Sequence, residues 1–470
     1  MAYCQLTLAD IGASVAELEV FHHRYAAFFE TTYAQEESFT YLHSTYVCDR
    51  RRNIANRARA VGGNSQNLHH FITNASWPDQ PILQQLQHDT FSLIGSATEG
   101  ALIIDESGFP KKGTNSVGVA RQYCGALGKV DNCQVGVFLA YSNATEATLI
   151  HRQLYLPEDW FLDPHRLIEA GVPKERQFQT KGELAIQMIQ QVIANQIRFA
   201  FIGGDSAYGD LPWLRDALSR KGQTYLLEIS ADTLVWLSRP KTFVPPRRSA
   251  KGRPPTKQQV MPGEPTPVTV SRIATSRPDT DWKRILVRDG EKRPLEWEFC
   301  ALRVVTRRDE LPGPEEWLIM RRSLSKPADL KYAFSNAPKG TALDVHAHRL
   351  ARRYWVERAI QIGKGGAGMD EYEVRFYDGW HHHMTMTLLA MLFLLRLRVK
   401  LRDKAPLLTI EDVREILSVV LPKQQFSPQD VLDFIEEKHR SRVAAKISHH
   451  HHYHRQKTPI EETVAPTPEK

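Results

Sequence analysis

The sequence predicts an α/β protein whose core is interrupted by a β-rich insertion, with helices before the core and a small helical appendage after it. Three observations predict it. Short apolar strands end in acids at Asp105 and Asp205. Strands and helices alternate as far as residue 230. A Pro-, Lys- and Arg-rich stretch and a run of β-type sequence then separate this region from an apolar helical region that begins near residue 343.

The elements follow in chain order. Residues 1–92 read as a helical domain: Val15 to Tyr33 has apolar residues at helical spacing, and Arg50 to Asn74 carries basic residues, Gly62-Gly63-Asn64 and a second periodic run from Ser65. Helix, glycine turn, helix fits a DNA-binding helix-turn-helix or an ordinary helical hairpin. In residues 93–230, Ala101 to Asp105, Gln134 to Tyr141 and Thr148 to Leu156 read as strands. Gly182 to Arg198 then reads as a helix, Phe199 to Ile202 as a strand, Leu211 to Arg220 as a helix and Thr224 to Ile229 as a strand. Three strands, then helix, strand, helix, strand, is the order of a ribonuclease-H-like core.

Residues 231–342 form the insertion. Pro245 to Val270 reads as a mobile loop, and Lys283 to Val305 and Glu316 to Ser323 as strands. Residues 343–402 return to the core with helices over Val345 to Lys364 and His381 to Lys400. Residues 403–470 are the appendage, helical over Ile410 to Leu421 and Pro428 to His439, with a His-rich tail expected to be disordered past about Lys457.

Composition narrows the class. The 470 residues are 42% hydrophobic, enough for a packed core, and the net charge of +7 favours a polyanionic partner. The cysteines Cys4, Cys48, Cys124, Cys133 and Cys300 include no C-x-x-C pair, which excludes a zinc ribbon and a disulfide framework. Met1 to Val20 shows no signal peptide, and the apolar run Met384 to Leu397 is short for a membrane span. A cytoplasmic protein without a membrane partner is expected.

Asp105 and Asp205 each follow a buried strand, and ligand sites in open sheets form beyond the carboxyl ends of strands. Each alone reads as a turn or capping residue. Together in one pocket they would repel unless a cation stood between them. Arg353, Glu357 and Lys364 lie four and seven residues apart, on one face of a helix that is otherwise apolar. An exposed Arg–Glu pair would be worth ~0.5 kcal/mol or less; on a buried helix the stripe points to a site. His381-His-His383 fan out at ~100° each and suit packing rather than one ion. The tract His449 to His452 is of a kind that binds metals in vitro without a functional role.

Asp105-Glu-Ser-Gly-Phe-Pro-Lys-Lys-Gly113, with Ser116 to Tyr123 and Gly128 to Val135, resembles the first-aspartate block of bacterial insertion-sequence transposases. Asp205-Ser-Ala-Tyr-Gly-Asp210 resembles the second-aspartate block, and Glu357 to Lys364 with Gly365 to Arg375 and Gly379-Trp-His-His-His-Met384 the glutamate block. The branch resembled is insertion-sequence family 701, of the DDE type, within the insertion-sequence family 4 superfamily. That superfamily carries Y-x2-R-x3-E-x6-K; Arg353, Glu357 and Lys364 match, but Leu350 stands at the tyrosine position, with Tyr354 nearby.

The resemblance covers about residues 15–400. It implies a cut-and-paste DNA transposase in which Asp105, Asp205 and Glu357 hold two Mg²⁺ ions, with Mn²⁺ as a substitute, for cleavage at transposon ends and strand transfer into target DNA. It implies phosphate contacts from Lys364, Arg353, Lys111 and Lys112, and from Arg50, Arg51 and Arg52 in the N-terminal region. Lys111 and Lys112 read equally as solvated loop lysines. The implied partners are terminal-repeat and target DNA and a second copy of the chain on DNA, in the bacterial nucleoid. A retired DNA-binding derivative and a nuclease that does not join strands are the competing readings. Trp282, Trp297 and Trp317 are candidates to stack on an unpaired base, against a plain core role.

Overall fold

The computed structural model describes residues 4–246, 255–288, 294–324 and 329–457. The chain opens with α1 (Leu8–Ala26), α2 (Thr32–Val47), α3 (Ile54–Val61), α4 (Ser65–Thr73) and α5 (Asp79–Ile94). Four strands follow: β1 (Ala101–Pro110), β2 (Ala120–Cys124), β3 (Lys129–Ser142) and β4 (Ala147–Tyr155). Helices α6 (Glu158–Phe161), α7 (Pro164–Glu169) and α8 (Lys181–Ala194) lead to β5 (Phe201–Gly204). Then come α9 (Ser206–Gly209), α10 (Pro212–Arg220) and β6 (Tyr225–Ile229).

The next stretch is mainly β, with β7 (Leu234–Trp236), β8 (Thr242–Phe243), β9 (Gln259–Val260) and β10 (Val268–Thr269) before α11 (Val270–Ser276). It continues with β11 (Lys283–Arg288), β12 (Leu295–Arg308), β13 (Leu311–Ser323) and β14 (Leu330–Ser335). Helices α12 (Leu343–Ala351), α13 (Tyr354–Ala367), α14 (Tyr377–Leu401) and α15 (Ile410–Val420) complete the first compact unit, which ends at Pro422. A second unit, from Lys423, consists of α16 (Pro428–Lys457), capped by Ser427, whose Oγ accepts from the Asp430 amide at 3.2 Å.

One mixed sheet organises the first unit, in the order β10-β7-β12-β13-β14-β6-β5-β1-β3-β2, with β4 also on β3 and β11 also on β12. In the core part the order is β4-β3-β1-β5-β6: β1 pairs antiparallel with β3, β3 antiparallel with β4, and β5 runs parallel to both β1 and β6. The first four residues of β1, Ala101 to Ile104, are fully buried, as a strand covered on both faces requires.

The insertion expected over residues 231–342 extends this same sheet. β14 pairs antiparallel with β6, from Tyr332↔Ile229 to Ser335↔Leu226. A buried ionic knot reinforces the seam. Glu316 on β13 is 1% exposed, lies 3.3 Å from Arg215 of α10 and 3.0 Å from Arg308 of β12, and accepts from the Tyr225 hydroxyl at 2.8 Å. Arg308 also reaches Asp216 at 2.8 Å. Removing Glu316 would leave the buried Arg215 without a carboxylate.

α14 is buried around almost its whole circumference, which explains its unbroken apolar run. It packs on β4 and is wrapped by α1, α2, α4, α5, α13 and α15. The N-terminal helices therefore share one core with the sheet. Among the described residues no helix is long and apolar enough to cross a membrane.

Several local expectations change. Val345 to Lys364 is two helices: α12 stops at Ala351, and amides bonding three residues back (Arg353 to Leu350, Trp355 to Arg352) tighten the chain before α13 starts. Within Pro245 to Val270, expected as a loop, β9 pairs with β8 and β10 with β7, while residues 247–254 lie outside the described residues. The helix expected to end at His439 continues to Lys457, and the tail expected to be disordered, residues 458–470, also lies outside them.

Candidate active site

The register of three parallel strands builds the site. Ile104 of β1 lies beside Gly204 of β5, and Gly204 beside Leu227 of β6. The next residue on each chain is an acid: Asp105, Asp205 and Glu228. Adjacent strands stand ~4.8 Å apart and in-register residues share a face. Three carboxyl-bearing residues therefore form a row where parallel strands end. Gly209 closes α9 onto this row; a Cβ there would overlap the Glu228 carbonyl oxygen. Asp205 also caps α9, accepting from the Ala207 amide at 3.1 Å.

Crowding and burial oppose the charged forms. Burial first, then the charge of Asp205, pushes Asp105 up to about 7, against the help of the Glu106 amide at 2.7 Å and of Arg353. Asp205 is raised too, mainly by burial and then by Glu106 and Glu228, with Arg353 opposing.

Arg353 is the hub. It stands at the break between α12 and α13, as the residue preceding the first turn of α13. Its Nη2 lies 2.7 Å from Glu357, its Nε 3.3 Å from Glu228 and its Nη1 3.9 Å from Asp105. The Arg353–Glu357 pair expected from helical spacing is thus present, and it connects the Glu357 helix to the strand-end row. Asp105 also feels the charge of Glu357.

Glu106 is held by Lys181 of α8 at 2.7 Å. Its Oε2 and the Tyr208 hydroxyl are buried without a hydrogen-bond partner, and the Tyr208 hydroxyl lies in the field of Glu106, Asp105 and Asp205. Unsatisfied polar atoms beside hard carboxylate oxygens have the donor chemistry that a hydrated divalent ion takes. Among the described residues, though, no three His, Cys, Asp or Glu side chains are grouped tightly enough to hold an ion. The acids gather around a guanidinium instead.

The other expected contacts divide. Lys364 lies over Phe109 at 5.6 Å and Lys111 over Tyr372 at 3.5 Å, and Phe109 and Tyr372 pack edge-on at 5.8 Å. Burial lowers Lys111 to about 8, so it is no freely solvated loop lysine. Lys112 and Arg50 are exposed, as is Arg51, which lies 3.8 Å from Glu373.

Arg52 corrects the expectation of three equivalent phosphate contacts. It is 5% exposed and donates to Thr45 O at 3.1 Å, Glu371 Oε1 at 3.0 Å and Gly365 O at 3.2 Å, so its guanidinium is committed to the protein.

The turn between α3 and α4 forms as read, with Gly62 left-handed at φ 70° and Asn64 capping α4 at 2.8 Å. The three histidines disperse. His381 meets Tyr377, His382 stacks on Trp77 at 3.7 Å, and His383 Nδ1 lies 2.7 Å from the Tyr41 hydroxyl.

Of the tryptophans, Trp282 is buried and Trp317 is bonded to Pro338 O at 3.1 Å. Trp297 is half-buried under the Arg321 guanidinium at 4.1 Å, and Arg321 in turn feels Glu228 and Arg353. Glu228 itself was missed. Its signal was a single acid in the apolar strand Tyr225-Leu-Leu-Glu228-Ile, placed like the two acids already chosen.

Residues 24–294, more than half of the chain, match the family described as DDE superfamily endonuclease. A protein of Microchaete diplosiphon named "Probable transposase for insertion sequence element IS701" is 33% identical over 178 residues, 37% of this chain and 43% of that protein's length. The chain thus matches less than half the length of that relative. Among solved structures, a cryo-EM piggyBac transposase synaptic complex with hairpin DNA aligns over 89% of this chain and 85% of its own. Its identity is 11% and its TM-score 0.33, too low to carry an argument.

Proposed function

This chain belongs to the DDE superfamily endonuclease family, and on that premise we propose that it is a DNA transposase that cuts the ends of an insertion sequence and joins them to target DNA. The observation that carries the reading is the acid row just past the point where the parallel pairing of β1 and β5 ends, with Glu357 linked to it through Arg353. Family membership implies a divalent metal. We take it to be two Mg²⁺ ions, with Mn²⁺ as a substitute, held by Asp105, Asp205 and Glu357. When bound, such ions activate the attacking oxygen and stabilise the leaving one in displacement at phosphorus.

The chain's own residues orient the substrate. Arg353 and Lys364 lie on the Glu357 side, where a DNA phosphate approaching the acids would meet them, and Lys111 and Lys112 extend that rim. Arg50 and Arg51 add contacts farther along the duplex. The order β4-β3-β1-β5-β6 supports a ribonuclease-H-like core made of residues 93–230 and 343–402, with residues 231–342 as its insertion and 1–92 as the DNA-end reader. Residues 403–470 are then an appendage. Synapsis of two ends calls for a homodimer on DNA, in the bacterial nucleoid.

The test is incubation of the purified protein and Mg²⁺ with DNA carrying the element's own ends, followed by mapping of products. Cut ends joined to a target are expected from the wild type and neither product from Asp205→Asn. Cutting without joining would make it a nuclease, and specific binding without either product a retired DNA-binding derivative.

A further inference from the structure

Arg353 is shared by three acids of the cluster, and these partners differ. Glu357 is 51% exposed and sits on a helix, whereas Glu228 is 15% exposed and sits on a strand paired on both sides, to β5 and to β14. Arg321 also feels the charge of Glu228. Glu228 thus meets Arg353 from a buried strand fixed on both sides, while Glu357 meets it from an exposed helix face. A divalent ion entering between Asp105 and Glu357 would stand beside the Arg353 guanidinium, and two like charges in a half-buried site repel. The guanidinium has to yield those two carboxylates. It cannot simply withdraw unpaired, because a desolvated charge without a partner is costly.

We propose that Arg353 is an exchangeable counter-ion that occupies the site before metal, and that Glu228 is the residue that retains it when the metal arrives. Glu228 is then a positioning residue: it sets metal affinity without touching the ion. The proposal rests on the reading of Asp105, Asp205 and Glu357 as metal ligands.

The test is Mn²⁺ binding to the full chain without DNA, read by electron paramagnetic resonance of the free ion. The proteins are wild type, Glu228→Gln, Arg353→Gln, the double variant and Asp105→Asn. Glu228→Gln is expected to weaken Mn²⁺ binding by about tenfold, the scale of a typical coupling between sites, because Arg353 then stays on Asp105 and Glu357. Arg353→Gln should tighten binding, and in that background Glu228→Gln should change it by less than about twofold, since its effect acts through Arg353.

Equal weakening in both backgrounds would make Glu228 a ligand and overturn the proposal, as would no change from Glu228→Gln in the wild type. Loss of binding in Asp105→Asn keeps the ligand reading intact whatever the cycle shows; wild-type affinity in Asp105→Asn sinks both. Circular dichroism and melting in chelator establish that each variant is folded. Should Glu228→Gln not fold, Glu228→Asp, which keeps the charge but draws it back, enters the same cycle with a smaller expected shift of the same sign.

Discussion

Arg52 donates to the carbonyl oxygen of Gly365, and so ties the N-terminal helices to α13, the helix that carries Glu357. In sequence Arg50, Arg51 and Arg52 are indistinguishable; in the fold one of them is a structural pin and two face solvent.

Arg52→Ala should therefore cost about 3 kcal/mol of stability, by stranding Glu371 and two carbonyls. Arg50→Ala and Arg51→Ala should leave stability nearly unchanged and each lower the salt slope of DNA binding by ~0.9. Urea unfolding and binding titrations at several salt concentrations check both. An Arg52→Ala protein of normal stability with a reduced salt slope would reverse the assignment. Deleting residues 1–92 is a poor substitute, because it would strip the cover from α14.

Asp105→Asn and Asp205→Asn keep side-chain shape and remove a charge. End cleavage and joining should each fall by about a hundredfold or more, while binding to end DNA stays within about twofold. Gel-based cleavage and binding assays on the same preparations separate the two. Normal cutting by either variant would contradict the acid-row reading.

The metal-free protein should lose stability as pH rises from about 4 to about 7. Asp105 is pushed from an ordinary 3.8 up to about 7, chiefly by burial and then by Asp205. Between those values the folded chain holds a proton that the unfolded chain has released, so raising the pH favours unfolding. Asp105→Asn lacks this titration and should gain on the wild type across that window. Mn²⁺ binding needs the proton gone, so affinity should rise with pH up to about 7 and then level off. Melting of both proteins in chelator at pH 5 and pH 8 gives the difference; a flat difference would falsify the assignment.

Among the three tryptophans, Trp297 is the candidate we would test for stacking on a base. It is half-buried and reaches the acid row through Arg321, whereas Trp282 is buried and Trp317 is bonded to Pro338. Trp297→Ala should cost about 1–3 kcal/mol in binding DNA with an unpaired base at the cleavage point, and little with fully paired DNA. Fluorescence titration with the two DNAs tests it; an equal loss on both would assign Trp297 to packing.

Much of this was legible in the sequence because the signals are local. Phe199 to Asp205 announces a buried strand that ends in an acid, and Arg353, Glu357 and Lys364 keep helical spacing; the strand expected to end at Asp105 instead runs on to Pro110, because β3 pairs with it that far. What escaped depends on partners distant in sequence. β2 is polar and half-exposed, and is a strand only because β3 pairs with it. β14 is a strand because β13 and β6 flank it. The break after α12 carries no proline or glycine to mark it; Arg352 is drawn there to Glu99, 3.2 Å away. Glu228 joins the site through register, which no single strand reveals.

The seam between β14 and β6 also has a mechanical consequence. Glu228 lies on one side of that ladder, opposite Ala333, and the whole insertion hangs on the other. These strands are continuous with the core sheet and cannot swing as a free flap. Torque on these strands would bear on the ladder from Tyr332 to Ser335, on the Glu316–Arg215 pair and on β6, which carries the carboxylate that meets Arg353. A load on β14 would be felt at the guanidinium as a displacement.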